Sequence, residues 1–169
     1  PLTCTSNFYV APAPSPQLAC PDDVYLDECT TLEVIEAEYV AWAAGFIVTP
    51  ACYTTDNLGD IPVLPADPYC DGADLSFTLI VEDDCEDEPL TCTSTFYVED
   101  APGLVATCPA DYLIEGYQTQ DSVNRAFDEW LKGFEFSGGC NATATLTWDY
   151  PDNCGEIVTV PYEVTDDCN

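Results

Sequence analysis

Thr91-Cys92-Thr93-Ser94-Thr95-Phe96-Tyr97-Val98 occurs twice in this chain; the earlier copy is Thr3-Cys4-Thr5-Ser6-Asn7-Phe8-Tyr9-Val10, with one residue in eight changed. Thr and Ser alternating with apolar residues, closed by an aromatic and β-branched run, predict a β-strand with one buried face. Each copy leads through a linker, Ala13-Pro14 or Ala101-Pro102, to a Cys-Pro pair, Cys20-Pro21 or Cys108-Pro109. That order is a last strand, a hinge and the start of a next module. Cys92 follows Cys4 by 88 positions, so the chain is expected to be a slice through a tandem array.

Composition limits the partners. Thirty-two acidic residues face only Arg125 and Lys132, there is no His, and the net charge is -30. Repulsion argues against nucleic acid and anionic membrane surfaces as partners. A hydrophobic content of 47% with three Trp, ten Tyr and seven Phe argues for a folded protein in spite of the charge. Eleven Cys with no Cys-x-x-Cys pair read as a disulfide framework, and hence as an oxidising, extracellular location. No apolar run is long enough for membrane insertion, and any export signal is expected outside these residues.

Residues 11–16, Pro-rich, should be extended and stiff. A strand is predicted over 23–28 and again over 111–115. Ile35, Tyr39, Trp42 and Phe46 then fall on one face of a helix, as do Val123, Phe127, Trp130 and Phe134. Thr30 with Glu33 suggests a capping box, and Gly45 and Gly133 mark the helix ends. The period faces inward, so the aromatic stripe reads as core rather than as a ligand platform. Strands are predicted over 142–150 and 156–165 around the turn 151–155, and over 75–81 before the acidic turn 83–88. The span from Cys52 to Cys70 is four residues longer than that from Cys140 to Cys154 and reads as a surface loop. The fold class that follows is mainly β: tandem Ig-like β-sandwich modules, each with one inserted amphipathic helix and disulfide staples. Residues 1–16 form the last strand of a preceding module plus linker, 17–101 the first module, and 102–169 a second module lacking its final strand.

Chemistry finds few candidates. Without His there is no nucleophile-base couple, and pairs such as Asp22-Asp23 or Asp83-Asp84 are expected by chance among so many acids, so an enzyme is not expected. No cofactor is called for except calcium. Glu99, Asp100, Asp111, Asp166 and Asp167 are expected at one pole of the second module, where five carboxylates would suit an ion that takes six to eight oxygens. The competing reading is a solvated acidic face.

Taken together, Cys-Pro, Gln118-Thr119-Gln120, Trp130-Leu131, Gly138-Gly139-Cys140, Cys154-Gly155, Val164-Thr165-Asp166-Asp167-Cys168 and the Cys92 strand resemble a known repeat. The chain is similar to the HYR-like (hyalin-repeat-like) Ig-fold modules of giant Bacteroidota surface adhesins, the SprB-type gliding adhesins among them. The resemblance implies type IX secretion, a cell-surface location, and a role in adhesion or as a stalk in gliding motility. It departs at Tyr117, where family modules carry a Cys that Cys29 supplies in the first module. Asp121-Ser122-Val123 fits the O-glycosylation pattern of that phylum, with Ser122 as acceptor, although Ser122 also reads as a plain first-turn helix residue. Asn141-Ala142-Thr143 is a formal N-glycosylation sequon.

Strand polarity leads to an expected disulfide set: Cys20-Cys52, Cys29-Cys70, Cys85-Cys92 across a hairpin, and Cys108-Cys140, with Cys154 alone beside Tyr117. Cys168 is expected to bridge to Cys4 of an adjacent copy. The functional expectation is a shaft or spacer of a secreted adhesin or extracellular filament, with adjacent copies of the repeat as partners. One alternative is a module binding a surface or glycan through the loop 53–69, flanked by Tyr53 and Tyr69. Another is a filament of subunits exchanging donor strands, against which continuity of one long polypeptide is the favoured arrangement.

Overall fold

The computed structural model describes residues 1–49 and 53–168. They form two compact units. Unit 1 comprises Pro1–Leu26, Thr31–Pro68 and Ala73–Val98; unit 2 comprises Asp27–Thr30, Tyr69–Gly72 and the chain from Glu99 on. Among the described residues the protein is mainly β, with two α-helices and three disulfides.

In unit 1 the elements are β1 (Gln17–Ala19), β2 (Val24–Leu26), α1 (Leu32–Ala44), β3 (Ile47–Thr49), β4 (Thr55–Asp56), β5 (Ala73–Glu82) and β6 (Leu90–Val98). The repeated stretch is β6, as its pattern predicts. Ser94, Phe96 and Val98 on it are buried, and so are Phe77, Leu79 and Val81 on β5, because alternate side chains of a strand share a face. β5 and β6 pair antiparallel from Ala73 opposite Val98 to Val81 opposite Leu90. They are the middle of a four-stranded sheet ordered β2-β6-β5-β4. β2 runs parallel to β6, Val24 opposite Phe96, so the sheet is not wholly antiparallel. β1 and β3 make a separate two-stranded ribbon.

The helix stripe packs on this sheet. Trp42 is 1% exposed. Its ring lies 5.8 Å from Phe96 and 5.2 Å from Phe46, and Phe46 in turn lies edge-on to Phe77 at 5.0 Å. The expected capping box is absent: the N-cap is Thr31, without a side-chain bond, and Thr30 Oγ1 instead donates to the Asp27 carbonyl at 2.7 Å. Gly45 does end the helix, but in right-handed conformation, φ -75°. What requires glycine there is space, since a Cβ would stand 2.6 Å from Pro21 Cβ. Gly133 repeats the device against Pro109 Cβ at 2.7 Å.

Unit 2 carries β7 (Val105–Thr107), α2 (Gln120–Leu131), β8 (Glu135–Ser137), β9 (Thr143–Leu146) and β10 (Tyr162–Thr165). β7 pairs with β8 in the register of β1 with β3, and β9 with β10 in that of β4 with β5. The strands predicted over 142–150 and 156–165 are therefore much shorter, and 111–115 forms none. For 111–115 and 156–165 the reason is pairing: β2 and β5, the matching strands of unit 1, both pair with β6, and the described residues give unit 2 no such strand; β9 matches β4, which pairs with β5. Residues 3–10 are exposed and unpaired.

The disulfides differ from every expected pair. Cys20 bridges Cys92, Cys29 bridges Cys140, and Cys70 bridges Cys168. Hence Cys20-Cys52, Cys29-Cys70, Cys85-Cys92, Cys108-Cys140 and the Cys168 bridge to an adjacent Cys4 are all corrected; Cys52 itself lies outside the described residues. The β5-β6 register sets Leu79, not Cys85, opposite Cys92. Cys92 shares the inward face of β6 and meets Cys20 just beyond β1. The other two bridges join cysteines 111 and 98 positions apart, which no hairpin argument reaches. Cys4, Cys108 and Cys154 are exposed thiols.

Candidate functional site

Comparing the two repeats at their 88-residue offset locates an open groove on unit 2. The backbone matches in detail: Cys29 and Tyr117 share left-handed φ values of 60° and 66°, as do Tyr53 and Asn141 at 56° and 54°. Tyr117 thus keeps the conformation of the Cys it replaces. Conformations this rare for bulky residues are held by their surroundings, so both repeats build the same frame.

Within that frame the tryptophans differ. In unit 1 Trp42 Nε1 donates to Ser94 Oγ at 2.8 Å, and Ser94 Oγ donates to the Asp22 carbonyl at 3.2 Å. A buried indole N–H needs such a partner, and β6 supplies it. In unit 2 Trp130 Nε1 donates directly to the Ala110 carbonyl at 2.8 Å, and Ala110 is the counterpart of Asp22. The strand serine is missing from between them. Likewise Asp23 Oδ1 accepts from the Thr95 backbone N–H of β6 at 2.8 Å, whereas the described residues place no strand equivalent to β6 beside its counterpart Asp111.

The result is a cavity of about 480 Å³ lined by Tyr112, Ser122, Arg125, Ala126, Glu129 and Trp130. On the same helix Val123 and Phe127 are buried, Trp130 is partly exposed, and in the preceding segment Leu113 is 87% exposed. Trp130 stacks on Phe127 at 5.6 Å and meets Phe134 edge-on at 5.2 Å. The second aromatic stripe, expected as core, is thus only partly covered. Arg125, one of two basic residues in the chain, lies on its rim. Ser122 is half-buried in this wall, its backbone N–H on Thr119 Oγ1 at 3.3 Å and its hydroxyl donating to Gln118 Oε1 at 3.2 Å. Thr119 therefore caps α2.

The five expected calcium ligands are not brought together. Among the described residues no group of three or more Asp, Glu or Cys side chains is placed to hold a metal ion. The physical reason is that the carboxylates have other work. Asp167 Oδ2 accepts from Tyr69 OH at 3.1 Å and from Asn141 Nδ2 at 2.8 Å, and Asp166 Oδ1 accepts from the Cys168 N–H at 3.2 Å. Glu99, Asp100 and Asp111 join no such group. Asn141, the sequon residue, is thereby engaged. Tyr69 is held above the ordinary phenol value, first by burial and then by the Asp167 carboxylate that its proton serves.

The loop 53–69 is less simply a surface loop than its composition suggests. Asn57 extends the β4 edge: its Nδ2 donates to the Thr78 carbonyl at 3.0 Å and its Oδ1 accepts from the Ile80 N–H at 2.8 Å. Pro68 is fully buried, and Tyr39 OH donates to the Pro62 carbonyl at 2.9 Å. Tyr53, 84% exposed in unit 1, borders a shallow acidic hollow of about 270 Å³ with Asp83, Asp84 and Glu88. In unit 2 Asp152 is held below the usual carboxylate range by the Cys154 N–H, and the same carboxylate raises the Cys154 thiol. A raised thiol is a poor nucleophile.

Sequence reasoning missed Ser94, Asp22 and Asp23 as the seat of β6; the signal was present in the recurrence of Ser6 and Asp111. Three disulfides mark the chain as one that matures in an oxidising compartment, secreted or extracellular. No helix among the described residues is long and apolar enough to cross a membrane. Comparison of the chain with protein-family models, with curated proteins and with solved structures found no match.

Proposed function

We propose that the chain is a non-catalytic structural repeat, the shaft or spacer of a secreted, surface-anchored adhesin or filament, built from Ig-like modules of the HYR-like kind. The observation that carries the reading is the pattern of bridges. Cys29-Cys140 and Cys70-Cys168 each tie a cysteine of the first sequence repeat to one of the second. Both lie within unit 2, and such staples suit a chain that transmits tension, because each closes a long loop that tension cannot then pay out. Largely antiparallel pairing of short strands in separate sheets supports the Ig-like assignment. The charge of -30 keeps neighbouring shafts apart.

A glycan-array and surface-binding assay on the full chain tests this. A shaft binds nothing saturably. Saturable glycan binding that disappears when the loop 53–69 is shortened would replace the shaft with a ligand-binding module.

A further inference from the structure

The geometry points to an occupant for the open groove of unit 2: residues 3–10 of a second copy of this chain, inserted as a donor strand and locked by a disulfide between its Cys4 and Cys108. This rests on the reading of the chain as a repeat that assembles with copies of itself.

The template is unit 1. There β6 makes four distinct kinds of contact, and each has both halves waiting. Cys92 bridges Cys20; their counterparts Cys4 and Cys108 are both exposed thiols. Ser94 links the indole of Trp42 to the Asp22 carbonyl; Ser6 would enter between Trp130 and Ala110, which now bond directly. The Thr95 N–H reaches Asp23; the Asn7 N–H would reach Asp111. Phe96, fully buried, packs on Tyr39 at 5.7 Å and Trp42 at 5.8 Å; Phe8, 92% exposed, would pack on Phe127 and Trp130.

The sheet agrees. β6 lies between β5 and β2, Cys92 opposite Leu79 and Phe96 opposite Val24. β9 pairs with β10 as β4 pairs with β5, which makes Tyr162 the counterpart of Leu79 and Tyr112 that of Val24. The donor would thus run antiparallel to β10, Cys4 opposite Tyr162, and parallel to 112–114, Phe8 opposite Tyr112. Among the described residues β10 pairs only with β9. An unpaired edge beside the partly exposed Trp130 invites strand addition. Charge also favours this segment: residues 1–21 carry no ionisable acid or base side chain except Cys and Tyr, so they approach the acidic unit without repulsion.

The covalent step needs an oxidant, and a small disulfide such as glutathione disulfide suffices. The Cys108 thiolate attacks one sulfur of the small disulfide and expels one thiolate. Cys4 of the second copy, as its thiolate, then attacks Cys108 Sγ and expels the other. Two protein thiols lose two electrons and two protons, and the small disulfide becomes two thiols.

The test mixes isotopically labelled and unlabelled full-length chain under glutathione disulfide, followed by non-reducing electrophoresis and peptide mapping. The expected result is a reducible multimer and a Cys4-Cys108 peptide pair carrying one labelled and one unlabelled half. Phe8→Asp should weaken association roughly thirtyfold or more, the loss expected of a central aromatic anchor. Because Phe8 is exposed, the variant should retain the Cys20-Cys92, Cys29-Cys140 and Cys70-Cys168 bridges. Cys108→Ser should abolish the cross-link but leave concentration-dependent association in sedimentation. A monomer with both thiols reactive overturns the inference. So does a Cys4-Cys108 bridge confined to one chain, a multimer linked through other cysteines, or association that survives Phe8→Asp. None of these outcomes bears on glycan binding, so the shaft reading stands or falls separately.

Discussion

Replacing Trp42 by Ala should destabilise unit 1 far more than replacing Trp130 by Ala destabilises unit 2, although the two occupy the same place in their repeats. Trp42 is 1% exposed and lies within 5.2 to 6.1 Å of three aromatic rings. Truncating such a residue costs about 3 to 5 kcal/mol in transfer and cavity energy. Loss of the 2.8 Å bond to buried Ser94 adds about 1 kcal/mol, which sets the total near the top of that range. Trp130 is partly exposed, touches two rings, and bonds to a carbonyl that water can reach once the indole is gone. Its removal should cost less than about 3 kcal/mol. Hydrogen exchange read by mass spectrometry separates the two, with β5 and β6 reporting on unit 1 and α2 and β10 on unit 2, so no single global transition need be assumed. Adding a synthetic peptide of residues 1–10 should raise the cost of Trp130→Ala toward that of Trp42→Ala. Equal costs in the absence of peptide would refute the reasoning, since they would mean that Trp130 is already covered in solution.

Removing the Cys20-Cys92 bridge by a double change to Ala should lower the stability of unit 1 by about 4 kcal/mol, the chain-entropy value for a closed loop spanning 72 positions, measured as a denaturant midpoint. Gly45→Ala should cost about 1 to 3 kcal/mol by forcing a Cβ to 2.6 Å from Pro21 Cβ, whereas Gly59→Ala, with nothing within 4 Å, should be close to neutral in the same assay. Tyr69 is held above its ordinary 10.0 first by burial and then because its neutral form donates to Asp167. A raised folded value means its contribution is complete below the ordinary phenol pKa and is lost as pH rises through the raised one. Tyr69→Phe should therefore flatten the alkaline end of the stability profile, and an unchanged profile would assign the loss to other groups.

Much of this protein was open to reading before any coordinate. The twin copies at 3–10 and 91–98 declare the repeat, and the alternation from Ser94 to Val98 declares which face of β6 is buried, because pleating makes side-chain direction a property of local sequence. Ile35 and Trp42 declare the buried face of α1 for the same kind of reason, whereas Phe46, expected on that face, is buried beyond the helix end at Gly45. Cysteine partners were another matter. Cys70 meets Cys168 across 98 positions, and Cys92 meets Cys20 rather than nearby Cys85, because a bridge depends on where strand register carries two Cβ atoms and not on their distance along the chain. The carboxylates imagined around calcium went the same way, Asp167 being claimed by Tyr69 and Asn141 from distant segments. Gly45 read as a helix terminator; only packing revealed that Pro21 leaves no room for a Cβ there. The missing strand of the second module was legible, but its effect on the helix stripe was not, since Trp42 and Trp130 have equivalent surroundings in sequence and both read as core. Whether an aromatic is core or exposed depends on the strand laid over it, and strand placement is a long-range contact that local periodicity does not encode.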